Sequence, residues 1–224
     1  MFDSLVLLTE AAEQVALARM LLGHRRDLVI RPASGIDELR AIETNSLRNA
    51  RLVAFASSAI VPADLLASLG YGAYNFHPGP PNYPGWAPAH FALYDRAEAF
   101  GVTFHAMAER VDSGTILDVA SFPVPQACTL LGLGELTYLH LLQLFEVWAE
   151  ELATEPMLAP RRSMPWCGRT NTRRSYRDAC AIPLDISRDE LWRRMRAFGG
   201  NHYGIAPAIN LHGVTFTATF PENA

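Results

Sequence analysis

Apolar residues arrive in short runs, separated by stretches of helical spacing, through the first half of the chain. Residues 4–9, SLVLLT, make a run of strand length, and the following EAAEQVALARMLLG carries apolar residues at helical spacing with a glycine at its end. DLVIRPAS predicts a second strand, stopped at Pro32, and a short helix over residues 36–42 leads to a buried strand in RLVAFAS. VPADLLASLG places Pro62 near a helix start and Gly70 past its end, and the next strand closes on YNFH. Strands alternating with helices imply an α/β class, a mostly parallel sheet wound by right-handed crossovers and flanked by helices.

The pattern changes in the second half. GVTFHAMAERVDSGTILDVASFPV predicts two strands joined by a turn at ERVDSG, since Asp-Ser-Gly supplies turn chemistry. A long amphipathic helix is expected over residues 130–152. Residues 154–180 are rich in Pro, Arg and Ser and read as a linker or a wrapped surface segment. DISRDELWRRMRAFGG predicts a helix, with Ser187 and Glu190 in a capping-box pattern. PAINLHGVTFTATF predicts a hairpin that turns at His212-Gly213. The division expected is a catalytic domain over 1–153 and a small helix-plus-hairpin appendage over 154–224.

Composition narrows the chemistry. All nineteen cationic residues of this 224-residue chain are arginine, which excludes a Schiff-base or phosphate-loop lysine. A net charge of −4 without a basic run disfavours nucleic acid as a partner. Cys128, Cys167 and Cys180 are widely spaced and fit reduced thiols in a cytoplasmic protein, neither a zinc pattern nor a disulfide framework. No apolar run reaches a membrane span and no signal-peptide layout opens the chain. The first strand-to-helix turn, LLTEAAEQ, holds no glycine, so a dinucleotide or phosphate fingerprint is absent there.

The stretch YGAYNFHPGPPNYPGW carries the candidate chemistry. Alternation along a strand turns Asn75 and His77 to one face and Phe76 to the other, and Pro78-Gly79-Pro80-Pro81 then ends the strand in a fixed loop. Chemistry in open α/β sheets gathers at such strand ends. With Asp112 from the following turn, the set is an amide, an imidazole and a carboxylate, which suits acyl transfer to an amine. Asn75 and His77 can stabilise an oxyanion, while Asp112 holds the imidazole and takes protons. No serine or cysteine is comparably placed, which favours direct transfer over a covalent intermediate. No histidine pair has metal-ligand spacing, so no metal is expected.

NFHPGPPNYPG followed by GVTFHAMAERVDSG, with His77 and Asp112 thirty-five residues apart, resembles the formyltetrahydrofolate-dependent formyltransferases. The resemblance runs over about residues 52–124 and implies a Rossmann-like formyltransferase fold. It implies catalytic places for Asn75, His77 and Asp112, and 10-formyltetrahydrofolate as the formyl donor. It puts Ser57, Ser58, Ala59 and Ile60 in the pterin pocket, and Ala108, Glu109, Arg110 and Val111 on a loop that closes over the pterin. LLTEAAEQ lacks the glycine-rich loop of the purine-synthesis enzyme, and neither a basic C-terminal barrel of the tRNA-directed enzyme nor the extra N-terminal domain of the hydrolases is expected. What remains resembles the sugar N-formyltransferases, whose tail is similar to ELWRRMRAFGGNHYGIAPAINLHGVTF. The acceptor so implied is a small-molecule amine on a nucleotide-linked sugar; a different amine, or a non-catalytic folate-binding relative, is the alternative. Trp86, Trp166 and Tyr203 could stack on a base or simply pack the appendage, and the arginines from Arg161 to Arg177 could meet a diphosphate or only solvent. His105 reads equally as support for Asp112 or the acceptor and as a core residue; His90 is a weaker candidate. The apolar hairpin could pair two subunits as a homodimer.

Overall fold

A computed structural model describes residues 2–162 and 164–218. The first half is β1 (Ser4–Leu8), α1 (Ala11–His24), β2 (Val29–Ala33), α2 (Ile36–Ala41), α3 (Thr44–Leu47), β3 (Ala50–Phe55), α4 (Ala63–Ser68) and β4 (Ala73–His77). Then come α5 (Pro88–Tyr94), β5 (Ala99–Ala106), β6 (Ile116–Pro123), α6 (Leu130–Thr154), α7 (Arg173–Cys180), α8 (Arg188–Phe198), β7 (Ala208–Leu211) and β8 (Val214–Thr217). Six strands form one sheet in the order β2-β1-β3-β4-β5-β6. The first four of that order run parallel, and β5 and β6 are each antiparallel to the strand before.

The near-continuous apolar runs reflect a sheet covered on both faces. Leu5, Leu7, Val53, Phe55 and Phe76 face a core completed by Leu17 and Leu21 of α1 and Leu141, Phe145 and Trp148 of α6. Val6, Leu8, Leu52, Ala54 and Ala73 face Leu39 and Leu47 on the other side. Arg51 interrupts β3 yet is fully buried. Its guanidinium donates to the carbonyls of Glu151 and Leu152 in the last turn of α6 and of Glu155 and Pro156 just past it, where a helix leaves most carbonyls without internal partners. Burial lowers its pKa to about 10, so it keeps its charge at neutral pH.

Several local expectations shift. Pro32 lies inside β2 rather than ending it, because β2 is an edge strand where a missing N–H goes unmissed. The wrapped segment contains α7, begun by a capping box in which Thr172 and Ser175 answer each other. At α8, Ser187 accepts from the Glu190 N–H, but the Glu190 carboxylate turns away to Tyr94, Arg193 and Arg194, so the box is half made. The hairpin turns at His212 and Gly213, both with positive φ; the end of its predicted second strand, from residue 219, lies outside the described residues. Among the described residues, no helix is long and apolar enough to cross a membrane.

Candidate active site

Strand alternation sends Phe76 into the core, stacked on Phe104 with ring centroids 4.2 Å apart, and leaves Asn75 and His77 on the opposite face. The antiparallel register then sets Asn75 directly across from His105 and His77 across from Thr103. These groups lie at the C-terminal end of β4, the fourth strand of six, and so inside the sheet rather than at its lateral edge. Asp112 comes from the β5–β6 connection, where a φ of 46° folds the chain back over the site.

The loop after β4 is built by close approach. A Cβ on Gly79 would lie 2.6 Å from His77 Nε2, so only glycine fits, and Thr103 Oγ1 donates to the Gly79 carbonyl at 2.7 Å. The Gly85 N–H donates to Asp112 Oδ2 at 2.7 Å. Residues 161–171 strap this loop to β6: Arg161 N–H donates to Leu117 O, Cys167 N–H to Pro81 O, Asn171 N–H to Pro84 O, and Trp86 N–H back to Asn171 O.

Asp112 bridges two imidazoles, with Oδ2 3.4 Å from His77 Nδ1 and Oδ1 3.3 Å from His105 Nε2. All three side chains are buried. The far nitrogen of each ring also faces a carbonyl: His77 Nε2 lies 3.3 Å from Tyr83 O, and His105 Nδ1 lies 2.8 Å from Ala106 O. A neutral imidazole has one N–H and can serve one of two acceptors. With Nδ1–H on Ala106, His105 Nε2 is left to accept from Asn75 Nδ2 at 3.2 Å. The group therefore has room for one more proton, shared among Asp112 and the rings as a coupled set. Burial lowers the pKa of His77; the Asp112 carboxylate partly restores it, and His105 adds to the lowering. Burial pushes Asp112 up, but its pairing with the His105 and His77 rings, which favours a proton on the rings over one on the carboxyl, and the Gly85 N–H outweigh that and hold it below its ordinary value.

A cavity of about 400 Å³ opens on this cluster. Asn75, His77 and Asp112 form its polar wall, and His105 joins them. The segment Ser57, Ser58, Ala59 and Ile60 forms a second side, and Ala108, Glu109, Arg110 and Val111 a third. Ser57 Oγ is taken by the Ala59 N–H at 3.2 Å, leaving backbone groups and Ser58 for a ligand. Val61, Leu66 and Met107 line the cavity as well, adding apolar surface beside the polar wall. A second cavity, about 580 Å³, lies across the Asp112 turn beneath the strap.

The structure settles the residues left open by sequence. His105 is part of the cluster. Trp166 sits against both imidazoles, with ring centroids 5.9 Å from His77 and 4.9 Å from His105. Trp86 lines the first cavity but packs at a tilt against Tyr203, with ring centroids 4.4 Å apart, and edges Tyr176. His90 lies outside the cavity wall, among Tyr176, Phe198, His202 and Tyr203. The Asn171 contacts and the Gly85 N–H were invisible to sequence because they are backbone bonds between distant segments. Among the described residues, no three His, Cys, Asp or Glu side chains are grouped to hold a metal ion.

The six-stranded sheet with this site at the end of β4 is a Rossmann-like formyltransferase fold. A sugar N-formyltransferase from Shewanella sp. superposes with a TM-score of 0.80 over 98% of both chains at 16% identity. An N-formyltransferase from Helicobacter canadensis, solved with folinic acid and dTDP-3-aminofucose, superposes with a TM-score of 0.68 at 14% identity, over 95% of this chain and 85% of its own. Residues 32–135 match the sequence model of the formyl transferase family. The methionyl-tRNA formyltransferase of Listeria welshimeri is 36% identical over 99 residues, 44% of this chain. That match spans 30% of the relative's own length.

Proposed function

We propose that this chain transfers a formyl group from 10-formyltetrahydrofolate to the primary amine of a nucleotide-linked amino sugar. The observation that carries the reading is the convergence of Asn75, His77, His105 and Asp112 on the wall of one apolar cavity, within the segment that matches the family. The two sugar N-formyltransferase folds match nearly all of this chain and support a sugar acceptor; the Helicobacter enzyme was solved with a folate and an aminosugar nucleotide together.

The chain's own groups divide the work. Asn75 Nδ2 and a protonated or donor-bearing His77 stabilise the formyl oxygen as it gains charge under attack. Asp112 accepts the proton of the attacking amine, and its two imidazole neighbours spread the gain. A C–N bond forms to the acceptor, the bond from the formyl carbon to the donor nitrogen breaks, and the proton returns to that nitrogen. Apolar walls at Val61, Leu66 and Met107 hold the donor ring, and the backbone of residues 57–60 reads its edge. Three free cysteines support a cytoplasmic setting, and exposed Val214 and Phe216 on the hairpin support pairing of two subunits.

The test incubates the protein with 10-formyltetrahydrofolate and a panel of nucleotide-linked amino sugars, scoring one added formyl group by mass spectrometry. His77→Ala and Asp112→Ala should each lower turnover by about a hundredfold to ten-thousandfold with the fold intact. Normal turnover in either removes the assignment. The sequence match to a methionyl-tRNA formyltransferase supports a second acceptor, methionyl-tRNA, so it joins the panel. A net charge of −4 weighs against that polyanion. Folate binding without product from any amine favours the non-catalytic alternative.

A further inference from the structure

Two cavities flank the Asp112 turn, and they are not equally open to the chemistry. Arg110, Val111, Asp112 and Thr170 line both, whereas His77 and His105 line only the first. What stands between the imidazoles and the second cavity is Trp166, which lines that cavity and lies edge-to-face with both rings. Its indole N–H donates to the Gly114 carbonyl at 2.7 Å, tying it to the turn that carries Asp112. The residue belongs to the strap, outside the stretch that matches the family. Its placement is enforced by neighbours: Gly168 has a φ of 76°, and a Cβ there would lie 2.3 Å from Asn82 O.

We propose that Trp166 is a positioning residue that partitions the site, shutting the His77 and His105 imidazoles off from the second cavity, which only Asp112 of the group reaches. The inference rests on the formyl-transfer reading for its kinetic consequence, but not for its structural one. Water reaching the formyl carbon from the second cavity would attack in place of the amine. The C–O bond so formed, with loss of the donor nitrogen, releases formate and tetrahydrofolate and wastes the donor. Water beside His77 would also solvate its charged form and raise its midpoint. The charged and titratable groups around His77 are Asp112 and His105 in contact, and Glu109, Arg110 and Arg173 on the cavity wall. Trp166 adds no charge of its own, so its effect is exclusion.

The experiment compares the full-length protein with Trp166→Ala, Trp166→Leu and Trp166→Phe. One readout is the His77 imidazole titration followed by NMR without any substrate. The other is the ratio of donor hydrolysis to formyl transfer. Trp166→Ala should raise the His77 midpoint by about half a unit or more and the ratio by about tenfold. Trp166→Phe should stay near the parent in both, since it keeps an apolar ring between the imidazoles and the second cavity while losing the N–H and part of the ring volume. Should Trp166→Ala fail to give a cooperative melt, Trp166→Leu is read in its place. An unchanged midpoint and ratio in a folded variant overturns the proposal. So does a Trp166→Phe as damaged as Trp166→Ala, which would assign the effect to the Gly114 tether. If the parent forms no product with any acceptor, the formyl-transfer reading fails, and the titration alone decides the partition.

Discussion

His77 and His90 are both buried, and their surroundings treat them in opposite ways. His77 has an acceptor at each nitrogen and a carboxylate within 3.4 Å. His90, on α5, has no hydrogen-bond partner at either nitrogen, and the Tyr176 hydroxyl nearby lacks one too. Burial, helped by His202, lowers the pKa of His90 from 6.5 to about 4. Its folded form is therefore neutral, and the unfolded chain takes up the proton first. The stability it contributes is fully present above the ordinary histidine value of 6.5 and is lost as pH falls from there toward about 4. The span is worth about 3 kcal/mol. His90→Phe, which fills the same aromatic cluster without a titrating group, should cancel that loss. Urea unfolding of the two proteins at pH 7 and pH 4.5 measures it, and parallel losses on acidification would refute the assignment. At this scale the sequence was legible where geometry is local. Alternation alone put Asn75 and His77 on one face; His105 stayed undecided because its place depends on β4–β5 register, a pairing between segments far apart in the chain.

Among elements, the strap over residues 161–171 shows how composition can be read correctly and still understate structure. The Pro, Arg and Ser content of residues 154–180 indicated either a linker or a segment wrapped on the surface. The backbone bonds to Pro81, Pro84 and Leu117, which make it a wall of the site, have no local signature. Helix α7 was missed because its capping box uses Ser175 where Glu or Gln is the recognisable partner. The Pro/Gly loop acquires its reason here: it is the surface on which the strap lies, and glycines occur where the two chains come closest. Gly168→Ala would put a methyl against the Asn82 carbonyl and force a positive φ on alanine. It should cost at least about 2 kcal/mol and lower turnover along with stability. A thermal melt and the formylation assay check both, and an unchanged melting temperature would show that the strap can shift freely.

Over the whole molecule, the division of composition near residue 153 is not a division of packing. One core cluster takes Tyr83, Leu93, Phe100 and Leu133 from the first part and Tyr176, Cys180 and Phe198 from the second. Helix α6 itself runs through the expected boundary to Thr154. The α/β class was legible because the runs of β1 and of most of β3 are apolar on both faces and alternate with helical spacing; the shared core was not, since packing between segments leaves no periodicity of its own. Unfolding should accordingly be one cooperative transition, with calorimetric and van't Hoff enthalpies equal. Phe198→Ala should lower that single transition by about 3–5 kcal/mol instead of freeing the tail to melt first. Two resolved transitions in a calorimetric scan would contradict this. The contact between Trp166 and the two imidazoles has an optical side as well. A protonated imidazole quenches indole emission, so the light from this tryptophan dims as the Asp112 group takes up a proton and recovers as it gives one back. With the other three tryptophans replaced, this emission should serve as a fluorescent gauge of the proton on the Asp112 group.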